Sequence, residues 1–333
     1  MALIYYLTQI QFEFGAIKLL RQECERVGIS RPLAVTNQGV KAAGILQKAL
    51  DVLPAMTVAV FDRTPSNPTE AAVRAATEVF HAKACDGLIA VPTTSGTGSE
   101  VARGAILILD DHRKLGFHCW HLMPKAAICD PELAFGLPAR LTAATGMDAV
   151  AHCMETFIAP AFNPPADGIA LDGLEPAWRL IERATRDGSD REARFNLMSA
   201  SMLGAMAFQK GLGCVHSLSH SLGGIDPRLH QGTFNAKFLP AVVAFNGRAE
   251  SVQKKRRLER MAQAMGLASC ADIPAAITDM NARLGLPTGL GAMGVQAARL
   301  AQIVNGALAD HCHKTNPRTA TADEYRALLD QAM

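Results

Sequence analysis

The sequence has no CxxC pair, no uninterrupted apolar run long enough to span a bilayer and almost no excess charge, and aromatic residues make up only 5% of it. Each shortage excludes something. Lysines and arginines total 33 against 31 aspartates and glutamates, with both signs interspersed. That balance leaves no footprint for nucleic acid and no basic patch for an anionic membrane. The opening MALIYYLTQIQFEFG is apolar at first but has no basic segment before it and no small-residue cleavage site, so it does not read as a secretory signal. The eight cysteines, at 24, 85, 119, 129, 153, 214, 270 and 312, are expected to be reduced, mostly buried thiols of a cytoplasmic protein.

What is abundant is Ala, Leu, Val and Gly, a mix that suits closely packed helices against a sheet, in a chain of 333 residues that accommodates two domains. The first third alternates strand and helix signals. Leu33–Thr36, Thr57–Phe61 and Leu88–Val91 read as strands, with helical patterns between them. Asn67-Pro68-Thr69-Glu70 reads as a helix start with Asn67 at the N-cap, followed by an apolar face of Val73, Ala76, Phe80 and Ala84. Strands separated by helices predict right-handed crossovers and a parallel, Rossmann-like sheet. A hairpin is expected around Asp110–Arg113, and Ala126–Cys129 as the last strand. From about Leu141 helical periodicity takes over, and Thr321-Ala322-Asp323-Glu324 is a capping box for the last helix. The expected architecture is an α/β domain over 1–138 followed by an all-α domain over 139–333.

Two pairs carry chemistry. Asp148 and His152 are four apart in a helical segment, and so are His216 and His220 in GLGCVHSLSHSLGG. Residues at that spacing share a helix face, which lets two side chains converge on one ion. His230 follows in DPRLHQG. One carboxylate and three imidazoles suit Zn²⁺ or Fe²⁺; Ca²⁺ or Mg²⁺ would demand more oxygen ligands. Taken singly, either pair also reads as an ordinary helical contact.

PTTSGTGSEVA at 92–102, KAAICDPEL at 125–133, TAATGMDAVAHCMETF at 142–157, HSLSHSLGG at 216–224 with His230, and the C-terminal NPRTATADEYRALL together resemble the iron-containing alcohol dehydrogenase family over nearly the whole chain. The resemblance implies a dehydroquinate synthase-like architecture, hydride transfer between an alcohol or aldehyde and NAD (NADP being possible), and a divalent iron or zinc ion held by Asp148, His152, His216 and His230. His220 matches the additional histidine that assists proton movement near the nicotinamide. Thr93, Thr94 and Thr97 would line the cofactor and Lys114 would approach its phosphates. Their ordinary readings are turn hydrogen bonds and a solvated hairpin charge. Asn37 stands where many relatives carry Asp, so the preference for NAD is weak. Relatives usually form dimers or larger assemblies, and MALIYYL is an edge-strand candidate for such an interface.

One family element is missing. No GGGS loop occurs anywhere, and the strand GLIAV at 87–91 runs straight into Pro92, as if the span between two similar strands were excised. Such a loop offers backbone N–H groups to a pyrophosphate at a helix N-terminus. Its loss predicts a sheet that pairs differently or exposes apolar surface. It motivates a second reading, a metal-binding relic or binding module with impaired cofactor binding. A maleylacetate reductase-like enzyme is a further alternative, which the retained ligand set disfavours because those relatives lack it, and a hydrolytic metal site with His220 as its base ranks last. His311-Cys312-His313 is expected to be an exposed loop, and Lys254–Arg257 a solvated helix face.

Overall fold

The computed structural model describes residues 8–333, so the MALIYYL edge strand lies outside the described residues. Strand β1, Gln9–Phe12, follows, a four-residue strand too short for the period-2 signal. Helix α1 spans Leu20–Arg26, β2 Leu33–Val35, α2 Gln38–Ala42, α3 Ile45–Asp51 and β3 Ala59–Phe61. The helical pattern expected between the first two strands is thus two helices, separated at Gly44. Helix α4 spans Glu70–Ala82, and its N-cap is Thr69, whose side chain accepts from Ala72 N, not Asn67. Asn67 is taken by tertiary contacts instead: its amide donates to the carbonyls of Pro227 and Leu229. On α4, Ala76 and Phe80 pack against Leu33 and Phe61, but Val73 is 45% exposed and Ala84 lies past the helix end.

Strands β4, Gly104–Ile108, and β5, Lys114–His118, form the expected hairpin, and β6, Ala126–Cys129, is the last strand. Pairs β1–β6 and β2–β3 are parallel. Gly87–Val91 forms only isolated bridges, to Pro32 and to Ala127, but it joins the two pairs. Leu33 N donates to Gly87 O, and Ala90 exchanges bonds with Ala126 O and Ile128 N. The sheet therefore closes across the missing span in the order β3, β2, 87–91, β6, β1. Its cover is incomplete. Val35, Val60 and Leu88 are 43%, 39% and 55% exposed, and Val35, Val73 and Leu88 line an apolar cavity of about 480 Å³. Exposed apolar surface, one of the two consequences expected of the missing span, is present.

Among the described residues no strand follows Cys129. Helix α5, Ala139–Ile158, starts behind Pro138; α6 is Pro164–Arg186, α7 Arg191–Ala207, α8 Cys214–Ile225 and α9 Gln231–Asn246. Their apolar faces form one core drawn from residues 143–332, separate from the cluster around Ile17, Leu20, Ile29 and Ile128. The terminal helix Ala322–Ala332 carries the capping box formed by Thr321 and Glu324. Eight free cysteines are present, six of them buried. No helix among the described residues is long and apolar enough to cross a membrane.

Candidate metal and cofactor site

Asp148 and His152 project from one face of α5, in a stretch where every residue from Thr142 to Ile158 is buried. His216 and His220 project from α8. The donor atoms of Asp148, His152 and His216 lie within 4.8 Å of one another. The His152 and His216 rings stack with centroids 4.6 Å apart. His230 is the N-cap residue of α9, and it lies outside that tight set. Its Nδ1 is buried and has no hydrogen-bond partner.

Two carbonyl or carboxylate contacts decide which ring nitrogens are free. His152 Nδ1 lies 3.2 Å from Gly96 O, so Nδ1–H donates and Nε2 is the nitrogen left free. His216 Nδ1 lies 2.6 Å from Glu155 Oε2. The same carboxylate accepts from Val215 N at 2.8 Å and His216 N at 3.3 Å, satisfying first-turn donors of α8. Glu155 thus anchors α8 and aims His216. Burial opposes protonation of His216, but the hydrogen bond and charge of Glu155 outweigh it and hold the imidazole above its ordinary pKa. Burial pushes His152 down to about 4. Sequence reading missed Glu155, although positions 148, 152 and 155 follow the i, i+4, i+7 spacing of one helix face.

Asn235 was also missed, and nothing in its spacing flags it. Its Nδ2 donates to Asp148 Oδ1 at 2.5 Å and lies 3.2 Å from His216 Nε2, while its Oδ1 is buried without a partner. Two acceptors converge there on a partial positive charge, which a cation would supply more fully. With the partnerless Nδ1 of His230, the donor set fits a divalent ion of the zinc or ferrous type.

His220 is buried, and its Nδ1 lies 3.0 Å from Asp310 Oδ2. Burial lowers its pKa despite that carboxylate. His311-Cys312-His313 is not an exposed loop. It forms a 3-10 turn capped by Asp310, with Cys312 buried and His311 stacked on His220 at 5.7 Å. Tertiary packing also overturns part of the solvated basic run: Arg257 is buried and donates to Asp167 Oδ2 at 3.0 Å.

Asn37 follows the parallel strand β2, and Thr93, Thr94 and Thr97 lie in the loop after the parallel segment 87–91, at the ends where open α/β sheets bind ligands, whereas Lys114 opens β5 of the antiparallel hairpin. Asn37 caps α2, accepting from Val40 N. Thr93 and Thr94 are half-buried and Thr97 is exposed, with a 3.5 Å contact to Ser99 Oγ. Their loop packs against the helical part: Gly98 has φ 58°, and a Cβ there would come 2.2 Å from Ala205 Cβ, so only glycine fits. Lys114 is not a solvated hairpin charge. It is buried and donates to Asn67 Oδ1 at 2.9 Å and Gln231 Oε1 at 2.7 Å, leaving one of its three N–H donors. Burial pushes it down to about 8.

A parallel-sheet part joined to a helical part with a buried Asp/His cluster is an arrangement that can hold a divalent ion next to a ligand bound at the sheet. The comparisons narrow this. The profile for the C-terminal part of the Fe-containing alcohol dehydrogenase family matches residues 142–333, and that for iron-containing alcohol dehydrogenase matches 8–91 and 87–131. The chain belongs to the iron-containing alcohol dehydrogenase family. It is 58% identical to a 4-hydroxybutyrate dehydrogenase of Cupriavidus necator over 382 positions, covering 100% of both chains. It is 32% identical to a 1,3-propanediol dehydrogenase of Klebsiella pneumoniae, covering 98% of each. A crystal structure of 1,3-propanediol oxidoreductase superposes with a TM-score of 0.92 at 30% identity, covering 100% of each chain. The protein is an alcohol dehydrogenase of the metal-containing type, an oxidoreductase working between an alcohol or aldehyde and a nicotinamide. This is favoured over the relic and maleylacetate reductase-like readings. An alignment of 382 positions against 333 residues leaves at least 49 positions in which this chain has none. Residues 87–91 end one matched stretch and begin the next. The same five residues thus serve both matched stretches of the family profile.

Proposed function

We propose that Asp148, His152, His216 and His230 hold a divalent ion, Fe²⁺ before Zn²⁺, and that His220 handles the proton of an NAD-dependent oxidation of a short hydroxy acid of the 4-hydroxybutyrate type. The observation that carries this is the convergence of the Asp148, His152 and His216 donor atoms within 4.8 Å, with the partnerless His230 Nδ1 nearby. When bound, the ion polarises the hydroxyl or carbonyl group and the nicotinamide exchanges the hydride. The chain's own part is positional. Gly96 O and Glu155 fix the ligand tautomers, and the buried walls exclude water. Asp310 accepts from His220 Nδ1–H, leaving Nε2 to take up the hydroxyl proton. Thr93, Thr94, Thr97, Lys114 and Asn37 line the cofactor's path, and the asparagine at 37 removes the charge that would repel a 2′-phosphate. The substrate class follows the Cupriavidus necator relative. We take residues 1–138 and 139–333 as the two domains, with the metal set in the second. A homodimer and a cytoplasmic setting complete the reading; sedimentation as a monomer would remove the former.

Metal analysis is the first test. His152→Ala should lose the ion and nearly all activity, and unchanged metal content would refute the ligand assignment. Titration of NADH into the metal-loaded chain should saturate in the micromolar range. A folded, metal-containing chain that binds no NADH would show that the missing span abolishes cofactor binding.

A further inference from the structure

Resting on the reading of His230 as the fourth ligand, we propose that Asn67 and Lys114 are positioning residues: from the sheet part of the chain they grip the residues on either side of His230 and set how tightly the helical part keeps its ion. The starting observation is an asymmetry among the four ligands. Asp148, His152 and His216 stand inside helices α5 and α8, and their donor atoms lie within 4.8 Å of one another. His230 ends the loop 226–230 that leads into α9, in extended backbone with φ −83° and ψ 126°, outside that tight set. Gly96 O and Glu155 aim the rings of His152 and His216, but the buried Nδ1 of His230 has no such partner. Its place is therefore set by its backbone.

That backbone is held from both sides. Asn67 Nδ2 donates to Pro227 O at 2.6 Å and to Leu229 O at 3.3 Å, just before His230. Lys114 Nζ donates to Asn67 Oδ1 at 2.9 Å and to Gln231 Oε1 at 2.7 Å, just after it. Asn67 is 9% exposed and Lys114 7%, so loss of either leaves buried polar groups without partners. The two anchors are themselves fixed. Ile108 N in the hairpin donates to Pro68 O at 2.9 Å, and Lys114 opens the second strand of that hairpin. The hairpin in turn lies against α8. A Cβ on Gly224 would come 2.8 Å from His112 O and 3.1 Å from Lys114 N, and one on Gly223 3.2 Å from Lys114 Nζ. The glycine pair that ends HSLSHSLGG thus admits the hairpin. On the far side, Gly232 lets α9 meet α5: a Cβ there would come 2.2 Å from Ala144 O and 3.3 Å from Asp148 Cβ. His230 is carried between these two contacts, one to the sheet part and one beside Asp148.

A ligand on a free loop must be ordered when the ion binds, and that cost is subtracted from the affinity. The Asn67 and Lys114 contacts order the loop beforehand. They come from the part of the chain that carries the parallel sheet, so the helical part completes its ligand set only with the sheet part docked on it.

The test is a competition for Zn²⁺ alone, with no nicotinamide or substrate present. The Zn²⁺-loaded chain is titrated with a chromophoric chelator, and Kd for Zn²⁺ is read from the partition. Asn67→Ala and Lys114→Met should each raise that Kd by about 10–100-fold. In a His230→Ala background the same changes should add less than about twofold, because no fourth ligand remains to be placed. Gln231→Leu removes only the outer contact, from a half-buried side chain, and should raise Kd by a smaller factor; it carries the test if Asn67→Ala does not fold. An unchanged Kd in both single variants, or equal weakening in the wild-type and His230→Ala backgrounds, would overturn the proposal. A His230→Ala chain that holds Zn²⁺ as tightly as the wild type would instead overturn the ligand reading on which it rests.

Discussion

Helix α4 buries none of its residues, whereas α5 buries every residue from Thr142 to Ile158. Both are amphipathic-length helices with good caps or starts, so the difference lies in what surrounds them. Around α5 stand α6, α7 and α9, each continuous and packed on it. Around α4 stands a sheet that has lost a span and closes through a strand held only by isolated bridges. The comparison teaches where a deletion of this size is tolerable. A parallel sheet can re-pair edge to edge, since its backbone donors are interchangeable along the ladder. A helical core with side chains at native density has no such freedom.

That contrast can be broken experimentally. The largest expected effect is in the helical part. Met154→Ala should cost about 4 kcal/mol in denaturant unfolding, whereas Val73→Ala on α4 should cost less than about 0.5 kcal/mol. Equal costs would mean that α4 is packed as tightly as α5. A somewhat smaller effect is expected at the loop that joins the two parts. Burial raises the Glu100 carboxyl from 4.5 to about 7. Between those values the unfolded chain ionises while the folded chain keeps its proton, so stability falls as pH rises through that window. Glu100→Gln should therefore stabilise the protein by about 3 kcal/mol at pH 8 relative to its effect at pH 4, read from paired unfolding curves. A pH-independent difference would place the carboxyl in contact with water.

The parts of the site legible in the sequence were those whose partners share a helix. Asp148 with His152, and His216 with His220, follow from helical spacing alone. Glu155 was within reach of the same reasoning. The rest needed the fold. Asn67 looked like a helix cap because its local sequence suits one, but the carbonyls of Pro227 and Leu229 and the ammonium of Lys114 claim its side chain. Lys114 looked solvated because hairpin lysines usually are, and the approach of α8 and α9 buried it. His311 looked exposed for the same reason, until it met His220 and His118.

Periodicity, caps and composition by themselves determined an α/β part followed by helices, the capping box at Thr321, the same-face pairs Asp148/His152 and His216/His220 and the absence of a GGGS loop, because each depends on residues within a few turns of one another. Tertiary structure alone decided that the sheet closes through residues 87–91, that Asn235 stands between Asp148 and His216, and that Asn67 and Lys114 reach the residues on either side of His230. Those contacts join residues far apart in the chain, and no local pattern records which side chains the packing of distant helices and strands will bring together.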